Sequence, residues 1–446
     1  MRTATRVRIV SSCLLVVLAA LPAIVPASRA ADNPPAKNRV ELGFEERLRS
    51  ENWDNIKDFS DDGSDALHQL RFRTKLWSRF TFGPKVELMV MLNNESRKVF
   101  TPDTPFKWDE VVFESLYLDV KTGGGWSTRI GRQNLTRGDG FLLFDGTPLD
   151  GSRTAYFNAV DATYASGKSK IELIAISDPH RDLYLPRLND RERPLIEWNE
   201  QALGAYFTGK EIEKTVIEAY YFYKTETDAS PTKSNPVPQP DRRFHTLGGR
   251  FARELGKSWS VGAELAIQSG TQDPDASIRA WAGTALVRRV FDVAAKPSVS
   301  LAWIGLSGDD PATGGNEGWD PLFSRWPKWS DGYIYTLAGE KGAAYWTNLR
   351  MWQAEALASP WKPLSLRATY YKMSAFHPFP GSATSFGKGQ NRGDLFELRA
   401  DVTAGKHWKG HIVGEHLAPG DFYAGTDPAW FFRIEVLYTY KRDLAL

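Results

Sequence analysis

The sequence predicts an all-β fold: a transmembrane, antiparallel, up-and-down β-barrel of about 18 strands. Three observations predict it. Long segments alternate apolar and polar residues with a period of two. The connections between these segments alternate short and long. Beyond the N-terminal segment there is no apolar run of the roughly 18 residues that a membrane helix needs, yet aromatic residues make up 13% of the chain, with 16 Trp and 16 Tyr.

Residues 1–30 read as a secretory signal peptide. Arg2, Arg6 and Arg8 form a basic start, 9–25 is apolar, and Ser28-Arg29-Ala30 is a small-residue cleavage site, so a mature chain starting near Ala31 is expected. Cys13, the one cysteine of the 446-residue chain, lies inside this segment, which leaves the mature chain without disulfide or thiol chemistry. Cleavage removes four Arg and no acid, leaving 52 Lys+Arg against 54 Asp+Glu, a net charge of −2. Bulk charge therefore gives no reason to expect a nucleic-acid partner, and any electropositive surface has to come from placement.

Residues 31–39 form a polar periplasmic leader, and 40–446 the barrel domain. The clearest hairpin is 67–93. Arg71, Arg73, Lys75 and Arg79 fall on one parity and Leu70, Phe72, Leu76 and Phe80 on the other; Gly83-Pro84 breaks the strand, and Val86, Leu88, Val90 and Leu92 resume the alternation. Strands are predicted at 40–50, 67–80, 85–93, 111–121, 126–134, 156–165, 170–177, 200–208, 215–226, 243–253, 258–268, 277–288, 297–306, 346–358, 363–372, 393–403, 407–417 and 429–440. Short connections such as 81–84, 122–125, 166–169 and 404–406 suit periplasmic turns, and long ones such as 51–66, 94–110, 135–155 and 307–345 suit external loops. Trp126, Trp259, Trp361 and Trp408 all sit at short turns, as an aromatic girdle at the lipid–water interface requires. Glu46 and Glu114 fall on the apolar parity of their strands; a bulge or an interfacial position would absorb them.

With the apolar parity toward lipid, the inward set is rich in arginine with acids among them. Such a density of charge suits a wet channel wall rather than a packed core. Two readings follow: a path for an anionic or polyhydroxyl solute, with arginine forks engaging carboxylates, or an inert lumen stiffened by Arg–Glu pairs. Catalytic signatures are missing from the sequence: 411–416 (HIVGEH) is one residue too long for a zinc-binding H-x-x-E-H, and there is no G-x-S-x-G or phosphate-binding glycine loop. The chain is read as not an enzyme, with no cofactor. Asp309, Asp310 and Asp320 in the longest connection are of the type that ligates calcium, but acidic surface loops are ordinarily only solvated, and no metal is expected.

Several motifs, in order, resemble the alginate export family of outer-membrane β-barrels. They are GRQ (131–133) with GDG (138–140), AELAIQSG (263–270), SGDDPATGG (307–315) followed by WDPLF (319–323), and the closing segment 419–440. The resemblance implies a monomeric barrel in a bacterial outer membrane that passes a uronate polysaccharide or oligosaccharide such as alginate. It also implies outer-membrane lipid and the barrel assembly machinery as partners. The turn 404–406 is short where the family's exporter carries an extended gating segment. By resemblance and inward parity, the candidate substrate path is Arg47, Arg71, Arg73, Arg129, Arg250, Arg367 and Arg399. The alternatives are a general porin for small hydrophilic solutes, an outer-membrane barrel enzyme, and a structural barrel with a plugged lumen. The last strand, with Phe432, Ile434 and Val436 outward and Arg433 and Glu435 inward, is expected to close on the first, and residues 441–446 to be expendable.

Overall fold

The computed structural model describes residues 38–63, 65–144, 157–186, 188, 198–227, 240–325, 328–342, 344–379 and 385–445. The predicted signal peptide and most of the leader lie outside these residues. The strands are β1 (Arg39–Asp54), β2 (Leu67–Phe82), β3 (Val86–Thr101), β4 (Lys107–Gly123), β5 (Trp126–Gln133), β6 (Phe157–Ser166), β7 (Ser169–Asp178), β8 (Asn199–Gly209), β9 (Thr215–Thr227), β10 (Arg242–Leu255), β11 (Trp259–Gln272), β12 (Ala276–Val290), β13 (Ser298–Leu306), β14 (Leu349–Trp361), β15 (Leu364–Ser374), β16 (Asn391–Ala404), β17 (Trp408–Pro419) and β18 (Ala429–Ala445). Each pairs antiparallel with its neighbours in sequence, and β18 pairs with β1, with Leu48 opposite Val436 and Phe44 opposite Tyr440. The 18-stranded sheet is therefore closed. Closure removes the edges whose unpaired N–H and C=O groups would be costly in hydrocarbon.

The outward parity presents Leu42, Leu48, Leu76, Leu118, Leu265 and Ile434 as exposed apolar side chains, which is a lipid-facing belt. The tight turns fall where glycine supplies a positive φ, as at Gly83 (+59°) between β2 and β3 and Gly405 (+66°) between β16 and β17. The turn tryptophans sit at this end. Trp126 and Trp408 lie with their ring centroids 4.9 Å and 4.8 Å from those of Tyr164 and Tyr438, and Trp259 lies under the Arg289 guanidinium.

Three expectations change. The connection expected at 94–110 shrinks to 102–106, because β3 and β4 continue to Thr101 and from Lys107. Residues 94–101 (NESRKVFT) are largely polar on both faces, so the lipid alternation that reveals a strand fades there. β18 runs past Tyr440: Lys441, Arg442, Asp443, Leu444 and Ala445 pair with Gly43, Leu42, Glu41, Val40 and Arg39. The tail read as expendable is thus part of the closing seam. Glu114 faces inward rather than toward lipid. The β3–β4 register slips between Met91 and Leu92, which leaves Glu114 as the extra residue, and its carboxylate reaches Lys75 Nζ at 2.7 Å. Glu46 stays outward, accepting a 2.6 Å hydrogen bond from Thr74 Oγ1.

The described part of the long connection between β13 and β14 (307–325, 328–342 and 344–348) folds into the barrel and carries the one short helix among the described residues, α1 (Tyr333–Leu337). Its Trp319, Leu322, Phe323, Ile334 and Leu337 pack against inward apolar residues of the wall, including Ile174, Phe222, Ile304, Met351 and Val413. Leu143, in the connection after β5, forms a parallel bridge with Phe323, so two external loops meet inside the lumen. The interior therefore has an apolar plug beside a charged wall.

Candidate functional site

Strand register places like charges face to face. Arg47 stands opposite Arg73, Arg49 opposite Arg71, and Arg367 opposite Arg399. Directly opposed like charges are unfavourable, and every one of these arginines has a carboxylate beside it, Glu51 being shared by Arg49 and Arg71. Arg47 lies 3.4 Å from Glu95 and 3.9 Å from Glu435; Arg71 lies 3.2 Å from Glu51 and 3.0 Å from Glu95. Arg73 reaches Glu45 at 2.9 Å, and Arg49 reaches Glu435 at 2.6 Å and Glu51 at 3.3 Å. Arg47, Arg49, Arg71 and Arg73 are all buried. They form a packed ion-pair mesh over β1–β3 and β18, not the freely hydrated wall that parity alone suggests.

The mesh continues to the loop plug through Arg433, 3.7 Å from Glu51 and 2.6 Å from Asp331, and through Arg399, 3.7 Å from Asp331 and 2.8 Å from Asp401. Arg367 joins by Glu397 at 3.3 Å. Arg47, Arg71, Arg73, Arg367 and Arg399 thus belong to one region. Arg129 and Arg250 stand apart. Arg129 pairs with Asp119 at 2.8 Å on the neighbouring strand, and Arg250 pairs with Glu218 and with Asp139 of the loop after β5, each at 2.8 Å. A cavity of about 490 Å³ lies against Glu218, Arg250, Glu264 and Thr284.

Parity does not reveal what holds the loop. Glu415 accepts hydrogen bonds from Ser330 Oγ (2.5 Å), Asp331 N (2.7 Å) and Gly332 N (3.0 Å), just before α1. Arg392 grips Glu340 with two bonds of 2.6 and 2.7 Å. Asp320 sits between Arg242 at 2.7 Å and Lys224 at 3.7 Å. Burial pushes the Asp320 carboxyl up, but these two cations prevail and hold it at about 2. Burial opposes the ionised form of Asp331 as well, and Arg433 overrides it, leaving its pKa lowered. The three acids considered for calcium are not gathered: Asp309 accepts from Glu317 N, Asp310 from Ala312 N, and Asp320 is neutralised by Lys224 and Arg242. Among the described residues Asp331, Glu397 and Glu415 do converge within 4.8 Å of one another. Arg433, Arg399, Arg367 and the loop's own N–H groups already occupy them as an anchor.

The sequence motifs meet here. Gln268 and Asp320, from 263–270 and 319–323, exchange bonds of 2.9 Å (Gln268 Nε2 to Asp320 O) and 3.0 Å (Asp320 N to Gln268 Oε1). Asp139, from 138–140, holds Arg250, and Ser324 Oγ donates to Gly140 O at 2.5 Å. The motif residues are largely those that dock the loops inside the barrel.

A closed barrel with a lipid-facing belt, tight turns at one end and loops folded into a charged lumen is an outer-membrane channel. A family model described as Alginate export matches residues 38–434, and the chain belongs to that family. No curated protein matches it. Solved structures with the same fold include OccK5 (OpdH) of Pseudomonas aeruginosa, at 13% identity over 91% of this chain and 98% of that one, with a TM-score of 0.55. OpdO of the same organism gives 13%, 91%, 97% and 0.56. OccK2 (OpdF), solved in complex with glucuronate, gives 12%, 91%, 98% and 0.55.

Proposed function

We propose that this channel passes small anionic sugars, uronates above all, across the outer membrane of a Gram-negative bacterium, with Arg47, Arg71, Arg73, Arg129, Arg250, Arg367 and Arg399 along its path. The observation that carries the reading is the placement of these guanidiniums on the inward parity of β1, β2, β5, β10, β15 and β16, where the half-exposed Arg129 and Arg367 offer donors to a carboxylate moving through the lumen and the buried Arg47, Arg71 and Arg73 fix the wall around it. The family's description and the glucuronate held by OccK2 (OpdF) support the same ligand chemistry. The folded loop 307–348 favours a short solute over a long polymer. The protomer acts alone, and the barrel assembly machinery inserts it by way of β18.

A second reading, a general porin for small hydrophilic solutes, is favoured by one fact: every one of the seven arginines has a carboxylate within 4 Å. Planar-bilayer recording separates the two. Anion-selective reversal potentials in a KCl gradient, with current block by glucuronate but not glucose, are expected for the first. Cation selectivity or equal response to both sugars would leave the general porin.

A further inference from the structure

Most of the inward wall is taken up by the ion-pair mesh or by the loop plug. The periplasmic halves of β2 to β5 carry something different. Trp77 and Arg79 share the inward parity of Arg71, Arg73 and Lys75. The Trp77 indole lies flat across Gly43 on β1: a Cβ at position 43 would fall 1.8 Å from the ring, so the ring needs glycine beneath it. Its Nε1 donates to Glu41 Oε1 at 3.2 Å, which fixes the ring in its plane. Trp77 is outside the apolar plug formed by the described residues and is only partly buried, so the face turned from Gly43 looks into the lumen.

Polar groups flank this ring. Arg79, two residues along β2, is 38% exposed and lies 3.6 Å from Glu87. In register across Met89 stands Tyr117, two strand spacings or about 10 Å from Arg79. The Arg129 guanidinium stacks 4.5 Å from the Tyr117 centroid, held by Asp119 through Nε (3.0 Å) and Nη2 (2.8 Å). Its side chain is 37% exposed. Unlike Arg47 or Arg73, Arg79 and Arg129 can turn donors to a ligand without leaving a buried acid unpaired.

Resting on the uronate reading above, we infer that Trp77, Arg79, Tyr117 and Arg129 form a binding shelf for a uronate oligomer of two or more rings. The indole supplies a flat platform for the C–H face of a pyranose ring, and the ring's carboxylate meets a guanidinium fork on either side. Tyr117, with its own cation stacked on it, supports a second ring.

The test is single-channel recording of the full chain, with trigalacturonate or maltotriose added on the periplasmic side. Wild type is expected to be blocked by trigalacturonate and more weakly by maltotriose. Trp77→Ala should weaken trigalacturonate block about tenfold, the worth of one good aromatic platform, and Trp77→Phe should retain most of it. Gly43→Ala keeps the indole but displaces it, so it should also weaken block, which a merely structural indole would not predict. Arg79→Gln with Arg129→Gln should weaken trigalacturonate block and leave maltotriose block unchanged. Block unaltered in both Trp77→Ala and Gly43→Ala would overturn the shelf while leaving the uronate channel standing. No block or permeation by any uronate in wild type would overturn both.

Discussion

Replacing Arg433 with Met tests whether the ion-pair mesh holds the loop in the lumen. Arg433 is buried and is the near partner of Asp331, at 2.6 Å, with Glu51 at 3.7 Å. Glu51 keeps Arg49 and Arg71, but among the described residues Asp331 keeps one cation, Arg399 at 3.7 Å. Breaking a buried pair from one side costs about 3–5 kcal/mol; the remaining arginine puts the expectation at the lower end, about 3 kcal/mol. The strand ladder closes on itself and cannot relieve that cost, whereas 307–348 can, by carrying Asp331 out to water. At about 1.4 kcal/mol per factor of ten, excursions of the loop should become about 100-fold more populated. They remain a minority state, because Glu415 and the Arg392–Glu340 pair still hold the loop. The assay is single-channel recording, scored for transient high-conductance events. The double variant Arg433→Met with Asp331→Asn removes both charges and should return the event frequency toward wild type. An unchanged frequency in the single variant, or no recovery in the double, would refute the reasoning.

Further expectations follow from the seam, the mesh and the loop. Val436→Pro should abolish the heat-modifiable gel shift, because Val436 sits mid-strand between Leu48 and Gly410; deletion of 441–446 should lower the temperature of that shift, since five seam positions go with it. Arg71→Ala with Arg73→Ala should move reversal potentials toward cations and lower barrel stability, because Glu45, Glu51 and Glu95 lose buried partners; Arg129→Gln should shift selectivity with little change in stability. Asp320, held near 2 against an ordinary 3.8, stabilises the loop fully above about pH 4 and loses that contribution as pH falls through 2, roughly 2 kcal/mol in all; thermal unfolding of wild type and Asp320→Asn should converge as pH drops across that window.

The strand count was legible because lipid imposes one rule on every spanning segment: apolar at each second residue. Where that rule lapses, so does legibility. Residues 94–101 and 441–445 are strand with mostly polar side chains, Phe100 and Leu444 being the apolar ones exposed there. Glu114 broke the parity because a bulge adds one residue, and a period of two cannot say where an insertion lies. The loop's fate was hidden for another reason. Gln268 and Asp320 are 52 residues apart, and Asp139 and Arg250 are 111 apart; no local pattern announces such pairs. The motifs that carried the family resemblance hold these residues, so the sequence displayed the docking points without their purpose. Trp77 shares the parity of Arg73 and Lys75, but parity alone does not set one aromatic ring apart on a charged face; only the glycine opposite it, Gly43, shows how the indole lies.

Parity also placed all seven candidate arginines inward but could not tell them apart, and the difference bears on selectivity. A buried guanidinium bridged by two carboxylates contributes little net field to the lumen, since its charge is cancelled within a few ångströms. Arg47, between Glu95 and Glu435, and Arg71, between Glu51 and Glu95, are of this kind, and Arg73 is buried against Glu45. Arg129 and Arg367, with side chains 37% and 34% exposed, each have one near acid and an open side. In a wet lumen, screening acts over about 8 Å, so a passing anion responds to groups it can approach directly. Anion selectivity is therefore expected to respond more to Arg129→Gln or Arg367→Gln than to charge-neutral changes within the buried mesh, and reversal potentials in a KCl gradient would show it.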